Sequence, residues 1–128
     1  MNTRLKLAGA TMLFASVIIV SAGILSFLPW WSFALPLLVL GGVLQKKEWQ
    51  LPMFVVGFSA GFLIWGGMEL FYATALHDVV LHRMAALFSL PSTLMIPGAG
   101  LIGGLVSGLA LYAGKALVAP RTWNAYTE

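Results

Sequence analysis

Three stretches of this chain, residues 5–28, 51–76 and 93–118, are predominantly apolar and long enough to cross a bilayer. A helical crossing takes about 20 apolar residues. No charged residue occurs between Lys6 and Lys46, or between Arg83 and Lys115. A chain built this way has to meet lipid rather than water along most of its length.

The composition agrees. Of 128 residues, 60% are hydrophobic and only 9% charged, against about 25% in a soluble domain. A soluble protein this apolar would expose patches large enough to aggregate. The length suits a single domain, residues 1–128. There is no cysteine, which excludes disulfides, thiolate catalysis and cysteine-held zinc or iron–sulfur clusters. The start imitates a secretory signal, with Arg4 and Lys6 before an apolar run and Ser21-Ala22-Gly23 after it. The run over residues 7–28 exceeds the 7–15 residues of a signal core, so it reads as a retained first span.

Residues 30–45 form a fourth, shorter apolar segment. Pro36 is tolerated near a helix start, and Ser32 is a suitable N-cap. At 1.5 Å per residue the segment covers only about 22 Å, so a crossing needs local thinning or snorkelling of Lys46 and Lys47. Charge decides the matter. If the segment crosses, Arg4, Lys6, Lys46, Lys47, Lys115 and Arg121 share one side and Arg83 alone takes the other. The cation-rich side is the cytoplasm. The reading is therefore an all-α integral membrane protein. Four transmembrane helices run over about 5–28, 30–45, 51–76 and 93–118, with both termini cytoplasmic. Trp30 and Trp31 at the outer turn, Trp49 at the inner turn, and Trp123 and Tyr126 after the last span suit interfacial aromatics. Pro52 starts the third helix. The net charge of +3 arises at segment ends, which points to topology and not to a nucleic-acid partner.

Both histidines lie in HDVVLHR, residues 77–83. On a helical wheel over residues 78–90, Val80, Leu81, Met84, Leu87 and Phe88 share one face and Asp78, His82, Arg83 and Ser89 the other. Pro91 ends the run. This predicts a short interfacial amphipathic helix with a polar strip of Asp78, His82 and Arg83. His77 and His82 point about 140° apart, so one continuous helix cannot bring both to one metal. No metal and no cofactor is expected. Asp78 and His82 can pair, as a surface pair of small worth or as part of a proton relay.

Glu69 is the only acid within an apolar span, which makes it a candidate functional group. It lies about 26 Å along the helix from Pro52, towards the outer end, where burying charge costs less. Phe58, Phe62, Trp65, Glu69 and Tyr72 follow helical spacing as one stripe. Such a wall, ending in an acid, can hold an organic cation by charge and cation–π contact; it can equally be packing. Gly57 and Gly61 occupy a different face. Gly100, Gly104 and Gly108 form GxxxGxxxG in the last span, with Gly103 and Ser107 beside it. Glycine lets helices approach closely enough for the van der Waals contact that drives association in lipid. The pattern leaves the partner open: the third span, another copy or another protein. Pro97 is expected to open this helix or kink its first turn. Ala8, Ala15 and Ala22 at heptad spacing suit packing of the first span. A dinucleotide-binding reading of the glycines fails for want of a strand, GxGxxG and a following acid.

The stretches LFSLPS and LIGGLVSGLALYAGKAL, within residues 87–117, resemble uncharacterised small four-helix inner-membrane proteins of bacteria, a resemblance that implies no activity. Small multidrug transporters share the size but carry an acid in the first span, absent here. Small fluoride channels also share it, but the only Asn residues, Asn2 and Asn124, are terminal. An enzyme is the least expected class: there is no HExxH, GxSxG or carboxylate pair. The expected function is a helix-packing accessory, structural or assembly subunit of a membrane complex or homo-oligomer, with lipid and membrane helices of itself or others as partners. The alternative is a small oligomeric transporter or channel using Glu69 and its aromatic face. A third idea is lipid or quinone engagement by the interfacial helix.

Overall fold

The computed structural model describes residues 3–24, 29–46, 52–75 and 79–119. Among these are five helices and no strand: α1 (Thr3–Ile24), α2 (Ala34–Lys46), α3 (Met53–Ala75), α4 (Val79–Leu87) and α5 (Ser92–Val118). Three of them, α1, α3 and α5, are long and apolar enough to cross a membrane, and α2 is a shorter apolar helix. This is a helical membrane protein.

Prolines set most of the boundaries. Pro29 leads a turn in which the Ser32 N–H donates to the Pro29 carbonyl at 2.9 Å and the Ala34 N–H to Trp31 at 3.0 Å. That turn takes up residues expected to be helical, so α2 begins at Ala34 rather than 30. Pro36 falls in the first turn of α2, where its missing N–H leaves no helical bond unmade. Pro52 precedes α3, and its carbonyl accepts the Val56 N–H at 3.1 Å. Pro91 is extended (φ −64°, ψ 139°) just before α5. Pro97 neither opens α5 nor falls in its first turn. It lies inside the helix, which starts at Ser92, and so removes a donor from the second turn. Membrane helices tolerate this when neighbours re-satisfy the freed carbonyl.

The end of α4 is a Schellman turn. The Ser89 N–H donates to Ala86 and the Leu90 N–H to Ala85, at 3.2 and 3.0 Å. Ser89 takes φ 54°, the left-handed position that usually belongs to glycine, and it is the only described non-glycine residue there.

The central element is α5, with α3 packed along one flank and α2 along another; α1 packs mainly on α3, and α4 touches α5. Contacts fix the directions. Phe33, just ahead of α2, packs its ring at a tilt against Trp65, which lies over Gly103, while further along α2 Gly41 meets Leu111 and Gly42 meets Gly114 and Val118. So α2 runs alongside α5 in the same direction and against α3. It covers only the C-terminal half of α5. Its 13 residues give about 20 Å, against about 40 Å for the 27 residues of α5. The end of α1, from Ile19 to Ile24, lies beside the end of α3, from Ile64 to Tyr72.

The core is narrow. Ala15, Phe33, Leu37, Met53, Ala60 and Leu111 are buried together, and Ala8 and Ala22 pack against them. Elsewhere large apolar side chains face outward, among them Leu13, Phe14 and Val17 on α1 and Leu101, Leu105 and Leu109 on α5. The buried hydroxyls satisfy themselves within their own helices. Thr11 Oγ1 donates to the Leu7 carbonyl at 2.8 Å, and Ser107 Oγ donates to Gly103 at 2.7 Å. Neither sends an unpaired polar group into the apolar interior.

Candidate functional site

The glycines of α5 pack against α3. The Phe54, Phe58 and Phe62 rings stack in a ladder, with centroids 6.0 Å apart at each step. Each rung lies over one glycine: Phe54 over Gly108, Phe58 over Gly104 and Phe62 over Gly100. A Cβ on those glycines would stand 2.9, 2.9 and 3.1 Å from the corresponding phenylalanine carbonyl oxygens. A parallel row lies beside the ladder. Gly57 meets Ser107, Gly108 and Leu111, Gly61 meets Gly103 and Ser107, and Trp65 covers Gly103. Each step of four along α3 matches four back along α5, which is ridge-into-groove packing of two i±4 rows. Gly57 and Gly61 therefore do not point away from the partner of the aromatic stripe; both rows face α5.

A second glycine seam, between α2 and α5, has no counterpart in the sequence reading. A Cβ on Gly41 would run into the Leu111 carbonyl, and one on Gly114 into the Leu38 carbonyl. Gly42 and Gly114 face each other. The available signal was the Gly41-Gly42 pair in a short apolar helix, with Gly114 continuing the small-residue pattern of α5 beyond Gly108.

The aromatic stripe divides. Phe58 and Phe62 belong to the α3–α5 seam. Trp65 is a junction: its indole rests on Gly103 of α5, its ring lies 5.7 Å from Phe33 at the head of α2, and it lines a cleft facing α1. Its Nε1–H is buried and has no hydrogen-bond partner among the described residues. Such an orphan costs about 1–3 kcal/mol.

Glu69 and Tyr72 lie in the cleft, whose volume is about 390 Å³. Ile19 and Gly23 of α1 and Trp65, Met68, Glu69 and Tyr72 of α3 are among its walls, and Phe58 and Phe62 are not. Among the described residues, Glu69 is the only charged one lining it. Glu69 as a residue is half-buried, and its carboxylate makes no hydrogen bond or ion pair with a described residue. It stands one helical turn past Trp65, beyond the level where α2 begins, so that half of the bundle has no α2 to close it. Trp30 and Trp31 are exposed in the turn before α2.

The polar strip is seen in part. Asp78 and His77 lie outside the described residues. His82 and Arg83 are exposed on α4, while Leu81 and Ala85 are buried on the side that touches α5. Met84, Leu87 and Phe88 are exposed, so α4 presents apolar surface outward as well as inward. Among the described residues no group of three His, Cys, Asp or Glu is placed to hold a metal.

Fold and cleft together define a small helical membrane protein with one acid-bearing cavity between its first and third helices. Comparison with protein-family models, curated proteins and solved structures finds no match to this chain.

Proposed function

We propose that this chain is a non-enzymatic, four-crossing protein of a bacterial inner membrane. Its ends face the cytoplasm, and it serves as a helix-packing accessory, structural or assembly subunit of a larger complex or homo-oligomer. The crossing of α2 is supported by its direction, opposite to α3, and by the six-to-one division of cations that follows. The observation carrying the subunit reading is a set of glycines that the fold does not use. Gly9, Gly23, Gly67 and Gly98 are helical, and a Cβ on any of them would meet nothing within 4 Å among the described residues. Gly100, Gly103, Gly104, Gly108 and Gly114 of α5, by contrast, face α3 or α2. A glycine inside a helix is less favourable than alanine by about 1 kcal/mol. In lipid its compensation is close helix approach, and for these four no described neighbour supplies it.

The test is purification from the native membrane in mild detergent, followed by mass spectrometry of the intact species. A second copy or a stoichiometric membrane-protein partner is expected. A monomer with no companion overturns the reading.

The Glu69 cleft favours a second reading, a small oligomeric carrier or channel. Uptake in proteoliposomes should then depend on Glu69, and equal uptake by Glu69→Gln removes it.

A further inference from the structure

We propose that the cleft between α1 and α3 binds a lipophilic organic monocation, with its positive nitrogen at Glu69 and its apolar body between Trp65, Tyr72 and the α1 wall. This rests on the same cleft as the carrier reading and deepens it, but requires only binding, not passage.

The occupant follows from the lining. Of the described residues that line the cleft, one is charged, and it is an acid. The polar side chains of the described wall are those of Glu69, Tyr72 and Trp65, and the others are aliphatic or methionine, with Gly23 lacking a side chain. An anion would face an unopposed carboxylate. A neutral apolar molecule would leave that carboxylate without a counter-charge. An inorganic cation would need several oxygen ligands, and the cleft offers one carboxylate and one phenol. A cation carried on an apolar body meets both halves of the lining. Its charge neutralises Glu69, and a quaternary or tertiary nitrogen is attracted to the faces of indole and phenol rings. The volume of about 390 Å³ lies at the lower end of ligand pockets, roughly 300–1,000 Å³, which suits a body of one or two rings.

The position favours the same occupant. Glu69 stands one turn past Trp65, which meets Phe33 just ahead of α2, and Trp30 and Trp31 precede Phe33 in an exposed turn. Tryptophans of this kind mark the membrane interface. An amphipathic cation concentrates at that depth, with its charge towards water and its body in hydrocarbon. Gly23 adds to the access. It lies on the α1 wall with no described atom within 4 Å of a Cβ position, so a ligand can approach the α1 backbone there.

The test uses the full chain in nanodiscs of zwitterionic lipid and benzyltriethylammonium as probe, with binding followed by equilibrium dialysis. Protein-free nanodiscs measure partition into lipid. The wild type is expected to bind the probe saturably above that background. Glu69→Gln is expected to bind at least ten-fold more weakly, with an unchanged thermal midpoint, and Glu69→Asp to recover part of the loss. A Tyr72→Leu variant weakens binding while the carboxylate stays in place. Saturable binding unchanged in Glu69→Gln, or no binding above lipid, overturns the proposal. If Glu69→Gln is found unfolded, Gly23→Phe, which fills the cleft from α1, decides instead: its loss of binding supports the site and its full retention sinks it. Uptake of the same cation into proteoliposomes is a separate readout. Glu69-dependent binding without uptake removes the carrier reading and leaves the site standing.

Discussion

Phe58 lies directly over Gly104. A methyl group on that glycine would stand 2.9 Å from the Phe58 carbonyl oxygen and 3.1 Å from its ring. The contact is one rung of a seam in which glycine on α5 makes room for an aromatic ladder on α3. In lipid, where apolar burial drives little helix association, this density of contact is what holds the two helices together.

Gly104→Ala therefore forces the seam apart and is expected to lower stability by about 1–3 kcal/mol, as overpacking does. Gly66→Ala is the matched control. Its Cβ would meet Gly100 at an ordinary 3.7 Å, and alanine is the better helix former by about 1 kcal/mol, so stability should hold or rise. Thermal unfolding of both variants in detergent, followed by circular dichroism, separates the two cases. Equal destabilisation would contradict the internal seam.

Trp65 joins α2, α3 and α5 while its Nε1–H lacks a partner. Ring and donor thus act in opposite directions. Trp65→Phe keeps most of the ring and removes the orphan donor, so its cost should stay within about 1 kcal/mol. Trp65→Ala empties the junction and should cost about 3–5 kcal/mol. Denaturation in mixed micelles measures both; a Phe variant as damaged as the Ala variant would mean that the N–H is bonded.

Ser89 holds φ 54° at the end of α4, where a residue with a Cβ is strained by about 1–2 kcal/mol. Ser89→Gly relieves this and should slow amide exchange at Leu90, whose N–H closes the turn onto Ala85. Ser89→Val should speed it. Hydrogen exchange read by mass spectrometry over residues 84–92 checks the order Gly, Ser, Val.

The lengths of α1, α3 and α5 were legible because run length alone determines a span. The partner of the α5 glycines was not, because spacing marks a smooth face without saying what fills it. The aromatic stripe shows a further limit. Positions seven apart in a straight helix drift by about 20°, so Phe58 and Tyr72, fourteen apart, differ by about 40°. On a wheel that is one stripe. In a bundle it is enough to place Phe58 on α5 and Tyr72 in the cleft towards α1. Glu69 was legible as an unusual residue, but its cavity depends on α2 being short, and that followed from the turn begun at Pro29. Gly41, Gly42 and Gly114 were passed over because the short segment carrying the first two was weighed for whether it crosses and not for what it packs against.

The central claim is that α2 passes through the bilayer against α3, leaving the outer half of the bundle open at Glu69. The chain has no cysteine, so single cysteines placed at Thr3, Lys47 and Arg83 can be labelled in intact cells with a membrane-impermeant maleimide without background. The four-crossing arrangement requires Arg83→Cys to react from outside, and Thr3→Cys and Lys47→Cys to react only after the membrane is opened. External labelling of Lys47→Cys with Thr3→Cys protected would put the start of α1 and the end of α2 on opposite faces and contradict it.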